Sequence, residues 1–338
     1  MSGISYLQGG PTWNVATGCS PVHTGCKNCW AKSLHDMRHR AWLAYDTAIQ
    51  QGGKISQKMP PQYAESFDVV QLKPDRLADP LHWRKPRTIG VNFGGDLFHK
   101  DVPDGFIDRV FAVMALCAQH RFILPTKRIA RAADYTVAMC NGKRWLGDAL
   151  KHVGMEGFAG RLGIAAALGA MGTDGKPPYT PFPNLMLVYS ASDQATLDAG
   201  MPHLLRANVA RRGLSLEPLV GDVDLDGYTC DKCGAIEKGG LGGWNDGKCG
   251  RCGESVLPEL NRNKMFGKIS WVTVGCESGP NRRPMELAWA RSIVNQCKAA
   301  GVRTWVKQLS IGGKVCTDWN RFPLDLRVQQ APFGEVRP

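Results

Sequence analysis

Cys19, Cys26 and Cys29, in the run CSPVHTGCKNCW, place three thiols on one short stretch of chain. Three thiolates can hold an iron-sulfur cluster with one iron left open to a substrate or cofactor, whereas four close the site. The same trio completed by His23 or His35 would make a zinc site instead. Spacing alone leaves both open.

A second group has a different logic. Cys230, Cys233, Cys249 and Cys252 form two CxxC pairs separated by fifteen residues, the pattern of a closed four-thiolate zinc site. Each pair makes a knuckle that aims two sulfurs at one point, so residues 226–258 should fold around zinc as a small ribbon inserted in a larger domain. A rubredoxin-like iron site has the same ligands. Cys117 and Cys297 lie on the apolar faces of expected helices and read as core. Cys276, beside Glu277 at a strand end, is a candidate hydrogen-atom donor or a packed thiol.

Seven of the twelve cysteines therefore have metal-ligand spacing, which belongs to a reducing compartment. The chain shows no run of the ~18 apolar residues that a membrane span requires. Its first 30 residues lack the pattern of a secretion signal. The expectation is a cytoplasmic protein with no membrane partner. Lys and Arg number 42 against 30 Asp and Glu, a net charge of +12. That balance favours a polyanionic partner, nucleic acid first. Candidate phosphate contacts are the cluster from Trp83 to Arg87, Lys127-Arg128 with Arg131, Arg211-Arg212 and Arg282-Arg283.

The elements that must position these groups alternate between strand and helix. Thr88 to Phe93, Phe122 to Leu124, Leu185 to Tyr189, Gly213 to Leu216, Ile269 to Val274 and Val302 to Val306 read as buried strands. Helical spacing follows Pro103-Asp104, Ser192 and Leu287, the last helix closing at Gly301. Such alternation predicts an α/β fold with a parallel sheet, doubly wound or curled into a full or partial barrel, and a site beyond the carboxyl ends of the strands. Polar residues gather at those ends: Gly94-Gly95-Asp96, Thr126-Lys127-Arg128, Ser190 and Ser192, Ser215 and Glu217, Cys276-Glu277, and Lys307-Gln308. Residues 141–182 are Gly-rich and read as an insertion or lid, and 311–338 as a carboxyl-terminal extension to a domain spanning 1–310.

Taken together, Trp13-Asn14, Thr17-Gly18-Cys19, Gly25-Cys26, Cys29-Trp30-Ala31, Asp96-Leu97-Phe98, Thr126-Lys127-Arg128, Ser215-Leu216-Glu217-Pro218-Leu219, Glu277-Ser278-Gly279-Pro280 and Lys307-Gln308 resemble a phage-borne radical S-adenosylmethionine family. The match runs from about residue 13 to 310. Some phage enzymes of this kind resemble participants in thymidine hypermodification of viral DNA.

The resemblance implies a partial TIM-like (β/α) barrel and a 4Fe-4S cluster on Cys19, Cys26 and Cys29, whose open iron binds S-adenosylmethionine. It implies that Gly94, Gly95 and Asp96 receive the methionine ammonium. Ser190, Glu217 and Arg128 are further contacts to that cofactor, and Trp30 is an aromatic cover. Lys127 and Glu277 join Cys276 as candidate catalytic residues. The implied partners are DNA carrying an amino-acid-modified thymidine and an electron donor such as flavodoxin or ferredoxin. The sequence departs from the usual superfamily signature in two ways: six residues rather than three separate Cys19 from Cys26, and Asn28 precedes the last cysteine where an aromatic is usual. A repair lyase resembling spore photoproduct lyase and a tRNA-modifying radical enzyme are alternatives. From another class, the chain could be a non-catalytic zinc-dependent nucleic-acid-binding protein with two zinc sites.

Overall fold

A computed structural model describes residues 4–53, 58–141, 182–225, 227–229, 236–238, 269–279 and 281–334. In chain order the strands are β1 (Thr12–Trp13), β2 (Ala16–Thr17), β3 (Gln71–Leu72), β4 (Thr88–Val91), β5 (Arg121–Thr126) and β6 (Leu185–Ala191), then β7 (Arg211–Leu216), β8 (Gly227–Thr229), β9 (Ile236–Lys238), β10 (Trp271–Gly275), β11 (Arg303–Ile311) and β12 (Lys314–Cys316). The helices are α1 (Trp30–Gln50), α2 (Asp79–His82), α3 (Asp104–Leu116), α4 (Ile129–Cys140), α5 (Gln194–Arg206) and α6 (Leu287–Ala299).

Eight strands form one sheet in the order β1-β4-β5-β6-β7-β10-β11-β12. All neighbours are parallel except the β11–β12 pair. Along the parallel strands the order never reverses, so the sheet is not doubly wound. Right-handed crossovers that always step the same way put every connecting helix on one face. The main apolar core lies there: Phe106, Val110 and Phe111 of α3, Ala132 of α4, Leu204 of α5 and Ile293 of α6 pack on outward residues such as Leu124, Leu187 and Val274.

The other face is covered by the chain's own amino-terminal turn. Tyr6 and Leu7 join Ile123, Met186, Val188, Trp271 and Trp305 in a second apolar cluster. The Tyr6 ring lies 6.4 Å from Phe93, just past β4, and 6.4 Å from Trp305 of β11. In a flat sheet those two strands would stand about 24 Å apart, at five spacings of about 4.8 Å. One tyrosine can reach both only because the sheet is strongly curved. Trp305 Nε1 also donates to Ser5 Oγ at 3.2 Å.

The carboxyl-terminal segment, expected as an extension, is part of this sheet's edge. After Gly312 and Gly313 turn the chain with φ of 57° and 71°, β12 pairs with the end of β11. Val328 and Gln330 then bond Val306 and Thr304, covering the start of the same strand. All six expected sheet strands and the three expected helices are present, and α1, which was not among the expected helices, buries only His35. The hairpin of β8 and β9 is antiparallel. Cys230, Cys233, Cys249 and Cys252 lie outside the described residues, as do residues 142–181 of the expected lid.

Candidate active site

Along the concave face the side chains change character. Met186, Val188, Trp271 and Trp305 make an apolar floor. Beyond them, toward the carboxyl ends, Ser190, Ser215, Thr273, Glu217, Lys307 and Lys127 make a polar cup. Glu217 is fixed from two neighbouring strands: Thr273 Oγ1 donates to it at 2.6 Å and Lys307 Nζ at 2.6 Å. Lys307 also lies over the Tyr6 ring at 5.9 Å, so the polar cup rests directly on the floor.

The loop carrying Cys19, Cys26 and Cys29 lies over this cup. It leaves β2 at Gly18, whose φ of 89° suits glycine, and ends at Cys29, the cap of α1. The three cysteines are partly exposed and in no disulfide. Side-chain tethers hold the loop down, among them Ser20 Oγ to His99 Nε2 at 2.8 Å. His23 Nε2 bonds the Ser190 carbonyl at 3.1 Å while its Nδ1 accepts from Gly25 N at 3.0 Å. Thr24 Oγ1 donates to Asp193 at 2.7 Å. Asn28 Nδ2 donates to Glu277 at 2.8 Å. Arg128 reaches Cys19 Sγ at 3.2 Å and the Ser20 carbonyl at 2.8 Å.

Both ring nitrogens of His23 are thus engaged within the fold. Burial, then the neighbouring Lys127 charge, push its pKa down to about 4, so it is neutral near pH 7. His35 is buried among His39, Tyr63 and Phe67, and neither ring nitrogen has a partner within hydrogen-bond geometry among the described residues. Among the described residues, no three His, Cys, Asp or Glu side chains converge closely enough to hold a single metal ion.

Asp96 and Glu277 are both buried, and both are saturated. Asp96 accepts from Phe98 N at 3.0 Å, Thr126 Oγ1 at 2.8 Å, Lys127 N at 3.1 Å and Arg128 Nη1 at 3.2 Å. Four bonds use the acceptor capacity of one carboxylate, so here Asp96 organises the two cations rather than offering a free lone pair to an ammonium. Glu277 accepts from Asn28, from Arg283 N at 2.7 Å and from Arg283 Nη2 at 2.6 Å. Burial pushes its pKa up, but the Arg283 and Asn28 hydrogen bonds outweigh it and hold it below the ordinary value. It anchors the cysteine loop.

Cys276 belongs to the main apolar core, where burial pushes its thiol up to about 11; this is the packed-thiol alternative. Gly94 and Gly95 line the loop beside β2, Gly94 N donating to Asn14 at 2.8 Å. Ser190 offers its carbonyl to His23 and its hydroxyl side to the cup. Trp30 begins α1 at the loop's end, 48% exposed. Lys127 is the free cation of the site: among the described residues its ammonium makes no hydrogen bond or ion pair. Burial lowers its pKa, opposed by the nearby Cys26, Cys29, Asp96 and Glu217.

Sequence reasoning missed Thr273 and Ser20, single polar residues in short runs with no spacing to mark them, and read Asn28 only as a departure from the usual signature. It also assigned several basic residues to phosphate that the fold uses internally. Arg283 pairs with Glu277, Arg282 bonds the Gly279 and Gly313 carbonyls, and Arg212 bonds the Leu204 and Ala207 carbonyls at the end of α5. Arg84 to Arg87 precede β4 and stand at the opposite end of the sheet from the cup.

Beside the cup a cleft of about 720 Å³ opens between the cysteine loop, α4 and α5. Val22, Phe98, Tyr189 and Ala199 form apolar walls, and Lys127 and Arg128 also line it. The cleft is an approach to the cations of the site. No helix among the described residues is long and apolar enough to cross a membrane. No curated protein and no solved structure matches the chain. Over residues 1–321 the chain matches, and belongs to, the DUF5131 family, described as proteins of unknown function.

Proposed function

We propose that this chain is a radical S-adenosylmethionine enzyme, a partial (β/α) barrel of that type, acting on a nucleobase substituent such as an amino-acid-modified thymidine in DNA. The observation that carries the reading is the placement of three free thiols and two cations, Arg128 and Lys127, over a polar cup at the carboxyl ends of a curved, sequentially ordered parallel sheet.

The chemistry of the donor set, three thiols on one loop, is that of a site for a 4Fe-4S cluster. Cys19, Cys26 and Cys29 would hold it, and the donor set has one thiolate too few to close it. Arg128 and Lys127 supply positive charge where three thiolates would gather. When bound, such a cluster would supply the one electron needed for reductive cleavage of a carbon-sulfur bond of S-adenosylmethionine, to methionine and a 5'-deoxyadenosyl radical that takes hydrogen from carbon.

The chain's own residues do the rest. Lys127, whose ammonium has no partner among the described residues, offers it to a carboxylate or phosphate. Glu217, immobilised by Lys307 and Thr273, presents a fixed acceptor for a ribose hydroxyl. Trp271, Trp305 and Tyr6 close the floor against water, which a reactive carbon radical requires. The CxxC quartet would hold zinc in a ribbon that helps seat the nucleic acid, and flavodoxin or ferredoxin would deliver the electron.

Anaerobic reconstitution tests the reading. The chain should bind about four irons. With dithionite and S-adenosylmethionine it should release 5'-deoxyadenosine, seen by mass analysis, and DNA bearing the modified base should raise the yield. Absence of iron and sulfide would remove the radical reading, whereas turnover indifferent to DNA would remove only the substrate.

A further inference from the structure

Arg128 is held more tightly than a ligand-binding arginine needs to be. It lies between β5 and α4, with its side chain 12% exposed. Nη1 is 3.2 Å from both Cys19 Sγ and Asp96 Oδ2. Nη2 donates to the Ser20 carbonyl at 2.8 Å and to Ser20 Oγ at 3.1 Å. Asp96 is in turn fixed by Thr126, Phe98 and Lys127. The guanidinium is gripped on both edges and cannot swing toward a substrate without breaking these bonds.

The geometry points to Arg128 as a positioning residue that donates a hydrogen bond to the Cys19 sulfur and raises the reduction potential of the cluster held there. This rests on the reading proposed above. Among the described residues, Cys19 alone of the three accepts a side-chain hydrogen bond, so the effect acts on one ligand of the set. Reduction adds an electron to a site already rich in thiolate charge. A donor aimed at the sulfur, with its positive charge fixed nearby, stabilises the reduced form more than the oxidised one. A lysine could not replace it, because a single ammonium cannot match the planar fork that faces Cys19, Asp96 and Ser20 together.

The test compares the reconstituted wild type with Arg128→Lys and Arg128→Gln. Iron and sulfide are counted first, and the midpoint is then read by dithionite titration with electron paramagnetic resonance detection. The expected result is full iron content with a more negative midpoint in both variants, the larger shift in Arg128→Gln. Full content with an unchanged midpoint in Arg128→Gln overturns the role of Arg128 and leaves the cluster reading intact. No cluster in the wild type overturns both. If the variants do not fold, the wild type labelled with 15N-arginine decides. A nitrogen coupling in pulsed resonance of the reduced protein supports the contact, and its absence overturns it.

Discussion

Lys307 Nζ lies 2.6 Å from Glu217 Oε2, joining the carboxyl ends of two strands that have β10 between them. Thr273 of the intervening strand donates to the other oxygen of the same carboxylate. Three consecutive strands are therefore cross-braced by one side chain at the base of the cup, above the Trp271 and Trp305 floor.

Because the pair is mostly enclosed, removing one partner leaves a charge with poor solvation. Lys307→Met should destabilise the chain by about 1–3 kcal/mol, measured by urea unfolding. A double-mutant cycle with Glu217→Gln should give a coupling of about 1 kcal/mol or more. A cycle that closes to zero would mean the two groups act independently.

Gly25 packs against β6 so closely that an added Cβ would meet Ser192 Oγ at 2.0 Å. Gly25→Ala should cost about 1–3 kcal/mol through overpacking and lower iron retention by the cysteine loop. Among the described residues, Ser192 Oγ is buried with no hydrogen-bond partner. Ser192→Ala should therefore leave stability unchanged or raise it, and should recover part of the Gly25→Ala loss; calorimetry of the four proteins reads both effects.

His23 makes the loop sensitive to acid. Its folded pKa is lowered to about 4 by burial and by Lys127, against about 6.5 in the unfolded chain. The unfolded state thus takes up a proton first, and stability present above pH ~6.5 declines as pH falls toward ~4. The urea midpoint of the wild type should drop over that window more steeply than that of His23→Asn. Parallel curves would show that another group is responsible.

Glu277 links the end of β10 to Asn28 and Arg283. Its lowered pKa means that its contribution is complete above the unfolded value of about 4.3 and is lost as pH falls through the lower folded value. Glu277→Gln should cost about 1–3 kcal/mol at neutral pH and should increase proteolysis within residues 19–29. Unchanged cleavage would show that the tether does not govern the loop.

Much of the sheet was legible because its strands are largely buried on both faces, which leaves runs such as Thr88–Val91 and Leu185–Ala191 mostly apolar. Helix α6 announced its end through Gly301, whose φ of 68° favours glycine. Helix α1 was passed over although Trp30, Leu34, Met37, Ala41, Ala44 and Ala48 recur at helical spacing, and in the fold only His35 of it is buried. The strand-end residues were legible as a group, but their roles were not. Nothing local distinguishes Lys127, which has no side-chain partner among the described residues, from Arg128, which is bound through both Nη1 and Nη2.

Composition and spacing by themselves determined the cysteine trio, the two CxxC pairs, the basic balance and the alternation of strands with helices, because each is a property of residue type and local periodicity. Only the tertiary structure decided that Asp96 and Glu277 are saturated anchors, that His23 ties down a loop, and that Glu217 is braced by Lys307. Those outcomes depend on which strand ends become neighbours when the sheet curves, and residues 90 positions apart carry no local record of meeting.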